Sequence, residues 1–370
     1  MTILSPPLLM DCSPAALLWS YLHLLTKDRQ DALLQVYGSL DEAAKHLGDA
    51  MLRGLRCREE TIRLALLRAE HFDAARYAAA LKGQGIRFLT MTDGQYPARL
   101  RNIADPPPFL YAKGDLSVLD QPCIGIVGTR KMSAYGKRVA EYFVPTLTAA
   151  GMVTVSGLAL GIDAAVARAT LDAGGRTVAV LGHGLGMVYP EENRALAEEI
   201  TKKGGLILSE FPLSWNPDRY TFVSRNRIIA GLSLGTLVLE APEGSGALLT
   251  ADFALEDGRD VFAVPGQVFD PHYAGCHALI ARGQAQLVAD PSSILRAIGI
   301  VTPGSPPAIA FVPASPDEQS VYALLTTMPQ DIDRLVERSR MEAGRINAAL
   351  MMMELAGGVK NVGGGMWVRG

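Results

Sequence analysis

Cysteine is scarce in this 370-residue chain, and Cys12, Cys57, Cys123 and Cys276 stand far apart with no paired spacing. That argues against a disulfide framework or a zinc site and fits a reducing compartment. Histidine is equally thin: six residues are scattered so that neither metal-ligand spacing nor a Ser-His-Asp arrangement emerges. A basic excess is also missing. The formal net charge is -3, so a polyanionic partner would have to be held by a local patch and not by the global field. Long apolar runs are absent too, since the stretch from Ile228 to Leu239 is too short for a bilayer and is interrupted by Gly231 and Gly235. The first residues, Met1 to Trp19, lack a positive leader and carry Asp11, unlike a signal peptide. The expectation is a cytoplasmic protein with no membrane insertion, no metal and no cofactor.

What is present is a folding composition: 49% hydrophobic and 20% charged residues exclude disorder, and the length predicts two or three domains. Residues 1–82 read as a small helical domain, SAM-like or helix-hairpin-helix-like, with a break at Tyr37-Gly38-Ser39 where Ser39 can cap the next helix. Its arginines, such as Arg53, Arg63 and Arg68, read as a solvated helix face. Residues 83–300 read as a lead-in segment followed by a Rossmann-like domain. Apolar strands are expected at 123–127, 153–156, 177–181, 206–209, 236–240, 261–264 and 286–287, separated by glycine turns and alanine-rich helices. Residues 301–316 have the proline-rich composition of a linker, and 317–370 read as three helices and a hairpin, a winged-helix-like domain. The fold class is α/β: an extended, mostly parallel sheet flanked by a helical and a winged-helix-like domain.

In an open parallel sheet, ligands gather where turn amides and helix N-termini meet at the carboxyl ends of strands. The first such end is Gly128-Thr129-Arg130, followed by Lys131 and Lys137 with no acid as far as Arg138. Gly125 and Gly128 lack the third glycine of a dinucleotide fingerprint, so a phosphate cradle is expected here without a bound dinucleotide. Ser156 and Gly157 end the second strand and permit close backbone approach, while Asp163 reads as a turn cap or a partner for an arginine. Gly244-Ser245-Gly246, after the strand ending in Glu240, forms a second anion nest at a helix start. Cys276 at another helix start is a candidate for a lowered thiol pKa, with no base beside it.

The segment from Phe211 to Phe222 reads as a loop carrying Trp215, Tyr220 and Phe222, and Arg225-Asn226-Arg227 follows immediately. Aromatic faces beside guanidinium forks suit stacked bases and phosphates. Cover for a sheet edge is the other reading of Trp215 and Tyr220. If Arg225 and Arg227 begin a helix they diverge, one holding phosphate and the other fastening the loop to Asp163 or Glu240.

These motifs, with Ser156 to Asp163, Ala179 to Gly184, Tyr189-Pro190, Ser209-Glu210, Arg225 to Gly231 and Val264-Pro265-Gly266, occur in an order that resembles the DNA processing protein A family, DprA or Smf. The resemblance implies a non-enzymatic protein that binds and protects incoming single-stranded DNA during natural transformation. It also implies receipt of the strand from single-strand-binding protein, loading of the RecA recombinase, and a homodimer formed through the Rossmann-like domain. The DNA pocket it implies comprises Gly128, Thr129, Arg130, Arg225, Asn226 and Arg227, with Lys131, Ser156, Gly157, Tyr220, Phe222, Ser245 and Gly246 around it and Asp163 and Glu240 in support. Ala167, Gly186, Val223-Ser224 and His277 depart from the family pattern and bear on local loop geometry.

Two other classes compete. The Gly244-Ser245-Gly246 loop resembles that of nucleotide-hydrolysing, lysine-decarboxylase-like enzymes, but Thr250 stands where those need glutamate. A duplex-binding regulator would use the last domain. There, however, the expected recognition helix runs through Met351, Met352 and Met353 with only Asn347 suited to reading bases, so a protein-facing role is expected.

Overall fold

The computed structural model describes residues 13–300, 311–326, 330–363 and 365–369. The chain divides into two compact units, one ending at Ile300 and the other starting at Val301. Of the stretch expected as a linker, residues 301–310 lie outside the described residues.

The first unit begins with helices Pro14–Leu22, Lys27–Tyr37, Leu40–Lys45, Asp49–Gly54, Glu59–Glu70 and Ala74–Gly83. Ser13, Thr26, Ser39 and Asp73 each accept a hydrogen bond from an amide in the first turn that follows, satisfying donors the helix leaves unpaired. The helices do not close a core of their own. Trp19, Leu22, Leu52 and Leu81 pack in one cluster with Phe88, Phe109 and Tyr111 of the neighbouring sheet. The Tyr77 hydroxyl donates to the Tyr111 hydroxyl at 3.0 Å across that junction.

The sheet has nine strands: β1 Ile86–Thr90, β2 Phe109–Gly114, β3 Cys123–Gly128, β4 Val153–Ser156, β5 Thr177–Leu181, β6 Leu206–Ser209, β7 Gly235–Glu240, β8 Asp260–Ala263 and β9 Gln286–Leu287. Their order is β1-β2-β6-β5-β4-β3-β7-β8-β9. From β6 to β9 every neighbouring pair is parallel, whereas β1 and β2 extend the sheet antiparallel beyond β6. β3, β4, β5, β6 and β7 are buried almost throughout, which suits strands covered by helices on both faces. β1 and β2 fall in the segment that the sequence pattern marks only as a lead-in.

The connectivity places the cleft. The chain lays β3, β4, β5 and β6 outward in one direction, then returns to set β7 against the other side of β3. The loops leaving β3 and β7 therefore diverge and open a crevice at their carboxyl ends.

The second unit holds helices Pro316–Leu324, Ile332–Ser339 and Ala343–Leu355, with β10 Gln330–Asp331, β11 Val359–Gly363 and β12 Met366–Arg369. Val321, Leu335, Leu350 and Trp367 belong to its core, giving a winged helix. Among the described residues no helix is long and apolar enough to cross a membrane.

Candidate functional site

A cleft of about 840 Å³ opens at the β3/β7 reversal. Gly128, Thr129 and Arg130 line it from β3, and Gly244, Ser245 and Gly246 line it from the loop after β7. Helix Gly246–Glu256 starts at the cleft, its Ser245 cap accepting from the Ala247 amide. Helix Arg219–Leu232 also begins there, with Asp218 and Arg219 in the lining. Helix N-termini and turn amides facing one space favour an anion.

Arg225 sits in the cleft wall but is 4% exposed. Its Nη1 donates to the Val180 carbonyl at 2.5 Å, while its Nε is buried with no hydrogen-bond partner. The guanidinium lies against Gly157, where an added Cβ would overlap it and force it to move. Burial pushes the Arg225 pKa down to about 10 and Arg130 adds to that, against an opposing pull from Asp163. Asp163 is buried beside it and accepts amide hydrogen bonds from Gly157 at 3.1 Å and Ala159 at 3.3 Å. Burial pushes the Asp163 carboxyl above its ordinary range, with Arg225 opposing. The result is a buried cation with incomplete hydrogen bonding in the cleft wall.

Arg227 faces a different environment and is not part of the cleft lining. Its Nη1 and Nη2 donate to Glu210 at 2.6 and 2.7 Å in a bidentate pair. Its Nε reaches the Asp105 carbonyl at 2.9 Å and carboxylate at 3.1 Å. The fastening partners are thus Glu210 and Asp105, in place of the Asp163 or Glu240 expected from sequence. Burial works against the charge on both groups, yet the pair holds Arg227 above and Glu210 below their ordinary ranges. Asn226, between the arginines, lines the cleft and donates to the Gly246 carbonyl at 3.1 Å, tying two cleft helices together.

The segment 211–222 is not all loop. Helix Arg219–Leu232 starts three residues before Phe222, because Asp218 accepts from the Tyr220 amide and Thr221 returns a bond to the Asp218 backbone. The Arg-Asn-Arg unit therefore lies inside the helix and not at its start. Phe222 lines the cleft, with the Arg130 guanidinium 4.8 Å from its ring centre and the Tyr189 ring at 5.9 Å. Tyr220 is 83% exposed and outside the lining. Trp215 packs on His23, Phe211 and Arg68, covering the junction with the N-terminal helices.

Other candidates take supporting positions. Ser156 is buried and donates to the Ile126 carbonyl at 2.8 Å, away from the lining. Lys131 is exposed on the loop beyond Arg130, and its amide donates to the Thr129 hydroxyl. The Glu240 carboxylate accepts the Ser133 amide and hydroxyl at 3.1 Å, holding the loop that carries Arg130. Tyr189 and Arg219 also line the cleft, although the sequence pattern does not single them out as site residues. The Asp-x-x-Thr cap was the available signal for Arg219.

Cys276 is buried, and burial pushes its thiol up to about 12, which overturns the expectation of a lowered pKa. His183 is buried, its Nδ1 3.0 Å from the Gly184 carbonyl, with its pKa lowered by burial. Among the described residues no group of three or more histidine, cysteine, aspartate or glutamate side chains is placed to hold a metal ion.

Residues 87–299 match the family described as DNA recombination-mediator protein A, and residues 304–365 match the DprA winged helix domain. Protein Smf of Escherichia coli is 39% identical over 73% of this chain and 74% of its own length. The X-ray structure of DNA processing protein A from Streptococcus pneumoniae superposes with a TM-score of 0.63 at 34% identity, covering 78% of this chain and 98% of that one. A Helicobacter pylori DNA processing protein A, described for its single-stranded DNA binding mode, superposes at 0.52 and 30% identity over 57% of this chain and 95% of its own.

Proposed function

The chain belongs to the DNA recombination-mediator protein A family, and from that premise and the geometry of the cleft we propose that it binds single-stranded DNA. The observation that carries this reading is the buried Arg225, one nitrogen unpartnered, in the wall of a cleft that also holds Arg130 stacked on Phe222. Turn amides with Arg130 and Arg225 take phosphates, while Phe222 and Tyr189 offer ring surface to bases. The loop arginine and the two glycine-rich turns serve capture and need no chemical step. Thr250 in the lining supplies no carboxylate for hydrolysis.

In this reading the protein protects the strand, receives it from single-strand-binding protein and loads the RecA recombinase during transformation and recombination. Two copies joined through the Rossmann-like unit would bring two clefts to one strand. Val268 and Phe269, 82% and 98% exposed on that unit, support an apolar contact between copies.

The test is single-strand affinity of Arg130→Ala and Arg225→Ala at several salt concentrations, with oligomeric mass recorded and RecA filament growth followed on strand coated with single-strand-binding protein. Each substitution should weaken binding and lower the salt slope by about 0.7 for one lost phosphate contact. Unchanged affinity and slope in both variants would sink the cleft assignment. Base or sugar phosphate released from a panel of nucleotides would instead establish an enzyme.

A further inference from the structure

The loop that brings Arg130 into the cleft continues through Lys131 into helix Ala134–Ala149, whose outward face carries two exposed tyrosines, Tyr135 at 41% and Tyr142 at 55%. Each ring touches the core along one edge, Tyr135 at Tyr273 and Tyr142 at Phe143, and leaves the rest of its surface exposed, while Val139, Phe143, Val144 and Leu147 supply the buried side of the same helix. At about 100° per residue, Tyr135, Arg138 and Tyr142 fall within about 60° of one another, on one exposed stripe that borders the buried side at Val139. Arg138 lies over the Tyr135 ring at 5.8 Å. Glu141 is the one acid on this helix, sits to the side of the stripe and pairs with Lys137 at 3.7 Å. The stripe thus presents ring, cation and ring, without a carboxylate of its own helix among them.

We propose that the Tyr135–Arg138–Tyr142 stripe is a second segment of the single-strand track, taking the DNA that leaves the cleft over Arg130 and Lys131. This rests on the cleft being the first segment. The occupant follows from charge and continuity: Arg130, Lys131, Lys137 and Arg138 are exposed along the same stretch of chain that lines the cleft. Seven residues of helix separate the tyrosines by about 10 Å, roughly three stacked base steps, so each ring can receive a different base. Sequence-independent strand binding needs this combination, since every base has a stackable face and every phosphate a charge.

The test compares a strand of about 4 nucleotides, confined to the cleft, with one of about 16, long enough to leave it. Full-length protein carrying Tyr142→Ala should bind the long strand roughly tenfold more weakly and the short strand unchanged, and Tyr142→Trp should restore the long-strand affinity. Arg138→Ala should lower the salt slope for the long strand alone, by about 0.7. Tyr135 also donates to the Pro265 carbonyl and packs on Tyr273, so Tyr135→Phe and Tyr135→Ala are compared to separate stacking from packing. Equal loss for both strand lengths would mean that the stripe only supports the cleft, and no loss for either would also overturn the proposal. A change in oligomeric mass with Tyr142→Ala would reassign the face to contact between copies. Arg225→Ala is the independent control: if it leaves both strands unaffected, the cleft reading itself fails.

Discussion

Two regions of one helix put the same side chain to opposite uses. On the cleft side of helix Arg219–Leu232, Arg225 is buried with a missing hydrogen bond and a depressed pKa. On the other side, Arg227 has a bidentate carboxylate, a second acid and a backbone carbonyl. Burial acts against both charges, so partners decide the difference. The fully bonded arginine has its donors committed within the fold, whereas the incompletely bonded one lines the cleft proposed to take the strand. The contrast also bears on reading motifs: two like residues of one tripeptide need not share an environment.

The largest expected effect breaks the holding side. Arg227→Ala leaves Glu210 buried beside Phe211 without its partner, and removing one member of such a pair costs about 3–5 kcal/mol. Urea unfolding should show that loss. The double replacement Arg227→Met with Glu210→Met removes both charges, and its stability should return to within about 2 kcal/mol of the parent. If Arg227 touches no phosphate, the double variant also keeps its strand affinity and salt slope. A folded double variant that has lost strand binding would place Arg227 in the interface and end the contrast.

The next effect is on the ligand side. Arg225→Met should lower strand affinity by about 1.5–3 kcal/mol, the scale of hydrogen bonds to charged groups. Its unfolding free energy should fall by about 1–3 kcal/mol, because the Val180 carbonyl loses its buried donor, and by less than in Arg227→Ala, which strands a bidentately paired carboxylate. Calorimetric unfolding beside a binding titration checks both. A stability loss as large as that of Arg227→Ala would show that the two arginines are equivalent.

Local pattern explains how much of this was legible in the sequence. The strands β3 to β9 could be read because short apolar runs end in glycine turns, and the cleft position follows from where those runs end. β1 and β2 could not, since they are strands only by virtue of pairing with β6. Arg225 and Arg227 look identical in sequence because what separates them is remote: Glu210 is 17 residues from Arg227 and Asp105 is 122. Cys276 misled for a related reason, as its position at a helix start is local while its burial depends on β7 and the helices around it. Trp215 shows the same limit, because its partners His23 and Arg68 come from the N-terminal helices.

The smallest effect separates the two regions by pH. Asp163 has its folded pKa raised by burial above the ordinary 3.8, against the pull of Arg225. Its contribution to stability is therefore fully present below that ordinary value and is lost as pH rises through the folded value. Glu210 runs the other way: despite burial it is held below the ordinary 4.5 by Arg227, so its contribution is present above 4.5 and is lost as pH falls through the folded value. Mild acidification should consequently protonate Asp163 first, leaving Arg225 charged and uncompensated while the Glu210 pair stays intact. In that interval strand affinity at constant salt should rise by a few-fold, roughly the scale of one charge interaction screened by solvent. Asp163→Asn should raise affinity at neutral pH and flatten the dependence, since the amide oxygen can still accept from Gly157 and Ala159. An affinity in the parent protein that stays constant as acidification protonates Asp163, with the Glu210 pair still intact, would mean that Asp163 does not balance Arg225, and the cleft cation would then owe its state to burial alone.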